Sequence, residues 1–214
     1  MTRRVVYGLG LLFSLACTAM TIASIMIPRW VSYSPDNHRK ISYGLHQHCS
    51  SVTGICAPFP KNSDCLKDSY FCSMWKSVGF LISFGVIIEL CSLVSFIVVM
   101  SGGVQRRSVG WKIVCSLLLF GGIVQCAGMA LVAFLFNNDD RFFEGWYLDM
   151  SWSLCTASWI ILVLTGLGIA ASAFYLSEEG GYELIPCNQM ESEQDEQLQS
   201  RIAGWNDGYQ QSRD

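Results

Sequence analysis

Six side chains in this sequence have types and spacings that could do chemistry. Cys49 and Cys56 stand seven residues apart, as do Cys65 and Cys72, while Glu89 and Gln125 are polar groups set deep inside apolar stretches. Thiols at that spacing close local disulfides in an oxidising compartment or bind a metal in a reducing one. A carboxylic acid and a primary amide in an apolar stretch either hydrogen-bond between helices or relay a proton or cation. Which chemistry applies depends on the elements that hold these groups.

Composition points to lipid. The 214 residues are 51% hydrophobic and only 14% charged, with a mean hydropathy of +0.35, against about 25% charge in a soluble domain. Four stretches reach the about 20 apolar residues needed to cross about 30 Å of hydrocarbon: residues 5–27, 78–100, 113–136 and 152–176. The second holds fifteen Leu, Ile, Val or Phe against the single acid Glu89. At about −0.3 to −0.6 kcal/mol for each apolar residue and about +3 kcal/mol for the acid, insertion stays favourable. Residues 1–176 are therefore expected to form a membrane domain with loops at 28–77 and 137–151, and residues 177–214 an acidic tail.

Orientation follows from short basic loops. Arg3 and Arg4 precede the first span, and Arg106, Arg107 and Lys112 lie between the second and third. Such residues mark the cytoplasmic side, so both termini are expected inside and the loops 28–77 and 137–151 outside, in a multi-pass plasma-membrane protein. The first span reads as a helix that stays in the chain, because its apolar stretch exceeds the 7–15 residues of a signal-peptide core. No basic patch interleaved with aromatics supports a nucleic-acid partner.

This topology decides the cysteine chemistry. Cys49, Cys56, Cys65 and Cys72 lie on the oxidising side, where an even set implies disulfides, and four cysteines allow three pairings. The two seven-residue spacings make two local bridges sterically easy. Zinc is the rival, with His46 and His48 nearby, but the spacing lacks a CxxC pattern. Cys17, Cys91, Cys115, Cys126 and Cys155 fall in spans and read as packing residues, while Cys187, just past the last span, is a candidate for palmitoylation.

Trp30, Gly44-Leu45, Cys49 and Cys56 together resemble the first-loop signature W…GLW-x-x-C…C of the claudin and peripheral myelin protein superfamily. His46 stands where that family usually has a second Trp, and Cys65 and Cys72 are extra. These departures lean toward the wider claudin-like group, including fungal plasma-membrane members and lipoma fusion-partner-like proteins. The resemblance implies an all-α membrane protein: a left-handed four-transmembrane-helix bundle capped by a small extracellular antiparallel β-sheet. It also implies a bridge from Cys49 to Cys56, with Trp30 and Leu45 anchoring the sheet to the bundle.

Glu89 and Gln125 fall near the centres of antiparallel spans, hence at similar depth. An interhelical hydrogen bond is the simpler reading, and a relay the other. Asn137–Trp146 mixes acids with aromatics; Phe142, Phe143 and Trp146 are expected first as interface anchors, then as a partner patch, with Ca²⁺ on Asp139, Asp140 and Glu144 third. The tail carries nine acids against two arginines from Ser177 onward. It is expected to be mostly disordered, with Tyr182 to Ile185 fitting a tyrosine-based sorting pattern. No enzyme motif appears and no cofactor is implied. The function expected is therefore non-enzymatic: membrane organisation, lateral assembly or cell-surface contact through the first outer loop. Its partners would be the lipid bilayer, a second copy or another membrane protein, and a cytosolic protein for the tail. One alternative is an auxiliary subunit of a channel, receptor or transporter, and another is a small channel or transporter using Glu89.

Overall fold

The computed structural model describes residues 2–36, 39–61, 65–66, 69–102 and 104–175. Tyr182, Ile185 and Cys187 lie outside the described residues, as does the rest of the tail. The chain divides into Met1–Ser177 and Glu178–Asp214, and the first unit holds every residue described.

Four helices carry the fold: α1 Thr2–Met26, α2 Ser69–Ser101, α3 Val104–Asn138 and α4 Met150–Tyr175. Each is long and apolar enough to cross a bilayer, where helices satisfy every backbone group internally. They pack as a ring, α1 on α2, α2 on α3, α3 on α4 and α4 on α1. The helices expose Leu12, Phe80, Ile123 and Leu164, which suits an exterior made of lipid tails rather than water.

Five strands complete the fold: β1 Val31–Asp36, β2 Arg39–Tyr43, β3 Gln47–Ser50, β4 Cys56–Pro58 and β5 Trp146–Leu148. They form one antiparallel sheet in the order β4-β3-β2-β1-β5. The protein is thus a four-span membrane protein with a small disulfide-bonded sheet at one end.

Two features differ from the hydropathy reading. Helix α2 starts at Ser69, ahead of the apolar run from Val78, because Phe71, Cys72 and Trp75 continue its buried face while Ser69, Tyr70 and Lys76 dilute its hydropathy. The stretch 137–151 supplies β5, and Phe142 and Trp146 turn inward onto the core beneath the sheet. Those two aromatics are therefore packing residues and not interface anchors; Phe143 alone of the three is exposed. Their inward turn follows from Trp146 pairing with Tyr33 in the sheet and stacking on Tyr33 and Tyr43.

Buried apolar residues form two clusters. One lies beneath the sheet around Trp30, Phe59, Phe71 and Trp75. The other, around Tyr7, Phe96, Leu118 and Leu162, fills the opposite half. Between them the four helices place Thr21, Glu89, Gln125 and Ser158, all essentially buried.

Candidate functional site

The sheet is fastened to the bundle by the residues of the Trp-Gly-Leu signature. Trp30 is fully buried and bridges three elements: its indole Nε1 donates to the Ser24 carbonyl at 2.8 Å, its amide donates to the Tyr43 carbonyl, and its carbonyl accepts from the Asp149 amide. Leu45, also buried, accepts at its carbonyl from Trp75 Nε1 at 3.3 Å. Gly44 sits where the chain turns back over the end of α1; a Cβ there would come within 2.5 Å of the Pro28 Cα. Only a residue without Cβ fits that approach of backbone to backbone. Each signature residue therefore has a mechanical task, which is to dock the sheet.

Away from that anchor the sheet ends in a hairpin. Cys49 and Cys56 are opposite each other on β3 and β4 and are bonded, and Gly54 turns the connection with a φ of 65°, a left-handed conformation that glycine adopts freely. The bridge closes immediately behind the tip, holding Val52 and Ile55 outward at 64% and 67% exposure. Cys65 is bonded to Cys72 in the first turns of α2. That bridge ties the incoming loop to the helix beside Phe71, which stacks on Trp75 at 5.6 Å. His46 is exposed in the bend just ahead of β3, beside Gly79 of α2.

A second anchor was not evident from sequence. Asp149, just ahead of α4, accepts from Ser32 Oγ of β1 at 2.6 Å, from Lys40 Nζ of β2 at 2.8 Å and from the Met150 amide. Burial pushes the Asp149 carboxyl up, but the hydrogen bonds from Lys40, Ser32 and Met150, with the Lys40 charge, outweigh it and hold the group below its ordinary value. The hydrogen bond to Asp149 raises Lys40 above the usual lysine value, against a smaller effect of burial. Lys40 also lies over the Tyr147 ring. An acid just before a helix start is a readable capping signal, but Ser32 and Lys40 lie more than a hundred residues away in sequence.

Within the membrane-spanning segments, Glu89 and Gln125 are brought together. Glu89 Oε1 accepts from Gln125 Nε2 and lies 3.0 Å from Thr21 Oγ1. Thr21 Oγ1 is in turn 2.8 Å from Ser158 Oγ and 3.3 Å from Gln125 Nε2. One polar group from each helix therefore meets at a single level. Gly85 opposite leaves the space that the Gln125 side chain occupies. Glu89 Oε2 and Gln125 Oε1 have no hydrogen-bond partner among the described residues. Apolar clusters close the layer at both ends, so the arrangement suits holding four helices in register better than passing an ion. Thr21 and Ser158 were missed in sequence; Ser14, Thr18 and Thr21 recur on one helical face of α1 and would have signalled it.

Cys17, Cys115 and Cys155 are buried, and Cys91 and Cys126 face outward from the spans. Asp139 engages Arg141, through its amide at 3.0 Å and its guanidinium at 3.9 Å. No cluster of three metal-ligating side chains forms among the described residues.

Compared with families of proteins, residues 8–142 match the model described as lipoma HMGIC fusion partner-like protein, well over half of the chain. Compared directly with curated proteins, the chain matches none.

Proposed function

The chain belongs to the family of lipoma HMGIC fusion partner-like proteins, and from that premise we propose that it is a non-enzymatic, claudin-like plasma-membrane protein whose sheet faces outward and binds another membrane protein or a second copy. The observation that carries this reading is the hairpin tip. Two aliphatic side chains, Val52 and Ile55, are held in the open by a disulfide placed directly behind them. A pinned tip loses little conformational freedom on binding, and preorganisation of this kind improves affinity. Positive residues at the cytoplasmic loops and oxidised cysteines in the sheet support the outward orientation. The closed packing around Glu89 favours a structural role for that acid over transport.

The test is co-purification of the full chain from mild detergent, with two different tags on two copies. A double change, Val52→Asp with Ile55→Asp, is expected to leave cell-surface delivery intact and to cut recovery of the associated chain about tenfold or more, as removal of about 1.4 kcal/mol or more of binding would. Recovery of the other tag identifies self-assembly. Recovery of one large distinct membrane protein identifies an auxiliary-subunit role. Unchanged recovery in the double variant would remove the tip from the interaction.

A further inference from the structure

The junction of the four helices lacks one hydrogen-bond donor. Glu89 and Gln125 are buried there, at 1% and 0% exposure. Glu89 Oε1 accepts from Gln125 Nε2, yet Glu89 Oε2 and Gln125 Oε1 are buried acceptors without a partner among the described residues. A buried polar atom left unpaired carries the full penalty of losing water, and here both such atoms belong to one bonded pair.

The same place also lacks a positive charge. Glu89 is the only acid within the four helices, and it enters no ion pair among the described residues. Helix α4 contains no Lys, Arg or His. Along the other three, the nearest basic residues are Arg4, Lys76 and Lys112. They stand seventeen, thirteen and thirteen residues from Thr21, Glu89 and Gln125, about 20 Å or more along the axis. The titratable side chains that act on Glu89 from α1 and α4 are the thiols Cys17 and Cys155, which supply no cation. An ionised carboxylate at this level would be an uncompensated buried charge.

One proton answers both needs. On Oε2 it removes the charge and turns an acceptor into a donor, whose complement is the open Oε1 of Gln125. Turning the amide over exchanges its oxygen and nitrogen and sets Gln125 Oε1 against Glu89 Oε1. Two acceptors in contact again require a proton on the acid. We propose that this junction is a proton-binding site, in which Glu89 is a carboxylic acid that donates to the Gln125 amide oxygen. The proton is then a structural ligand, held where the four helices meet, and the pair crosses the membrane without net charge.

The full chain in phosphatidylcholine vesicles at neutral pH is to be compared with Glu89→Gln by infrared difference spectroscopy. The difference is expected to contain the carbonyl stretch of one protonated carboxyl per chain. Glutamate labelled with carbon-13 at its side-chain carboxyl should lower the frequency of that band in the native chain, which assigns it without any substitution. Gln125→Leu removes the acceptor and should raise the frequency, because a carboxyl freed of its hydrogen bond has a stiffer carbonyl. Carboxylate bands in place of the acid band overturn the proposal, and a trapped water bridging the two oxygens would give that result. So does a band that the label leaves unmoved. An unchanged frequency in Gln125→Leu overturns Gln125 as the acceptor.

Discussion

At the residue scale, the anchoring positions differ sharply in what they tolerate. Gly44→Ala drives a Cβ into the Pro28 backbone, whereas Gly8 of α1 has nothing within 4 Å of the same position. The first change is expected to destabilise by about 1–3 kcal/mol or more through overpacking, and Gly8→Ala to be neutral or slightly stabilising in its helix. Thermal midpoints of the two variants in detergent compare them directly, and equal midpoints would refute the steric account of Gly44. The Asp149–Lys40 pair gives a pH dependence with a definite sign. Asp149 lies below its ordinary value of 3.8, so its contribution is full above that value and fades as pH falls through the lower folded one. Lys40 lies above its ordinary 10.5, so its contribution is full below that value and fades as pH rises through the higher folded one. The midpoint attributable to this pair should be flat between those limits and fall outside them, and Asp149→Asn should lower the plateau and remove the acid limb. An unaltered pH profile in Asp149→Asn would separate the pair from stability.

At the scale of elements, the strands depend on their bridges more than on their length. Strands β3 and β4 have four and three residues, too short to persist as a free hairpin. Replacing Cys49 with Ser is expected to cost about 2–3 kcal/mol by releasing the closed loop and to raise amide exchange first in Gln47–Pro58. Protection that persists there in Cys49→Ser would show that packing on Phe59 alone fixes the hairpin. The four spans were legible because lipid demands a continuous apolar run, and the cysteine set was legible from its spacing. Two elements were not. The first turns of α2 are helical because Phe71 and Trp75 meet the sheet, and a window average over Ser69 and Lys76 hides that contact. Strand β5 has three residues and exists only through Val31–Tyr33, a pairing no local pattern contains. The signature residues were readable as a motif, yet their tasks, above all Gly44 against Pro28, emerged only from the close approach itself.

At the scale of the whole molecule, the polar layer is the one level, among the described residues, where all four helices exchange side-chain hydrogen bonds. Intramembrane bonds of this sort average about 0.6 kcal/mol each, so the layer specifies alignment more than it supplies stability. Glu89→Gln keeps an acceptor for Thr21 and Gln125 and adds an amide donor at the position of Oε2, whose neighbourhood lacks one. Assembly and surface delivery of this variant are expected to match the native protein, with a midpoint within about 1 kcal/mol of it. Loss of assembly would show that an ionisable group is required there.

The pairing of β5 with β1 also fixes an order of synthesis. Strand β1 emerges directly after the first helix, but its neighbour Trp146–Leu148 and the Asp149 amide that donates to the Trp30 carbonyl are made only after the third. Until then the edge of β1 and the Trp30 carbonyl lack these partners. A chain halted after α3 can close its cysteine bridges and still carry an unfinished edge. Completion of the sheet thus waits on the short segment that directly precedes the last helix.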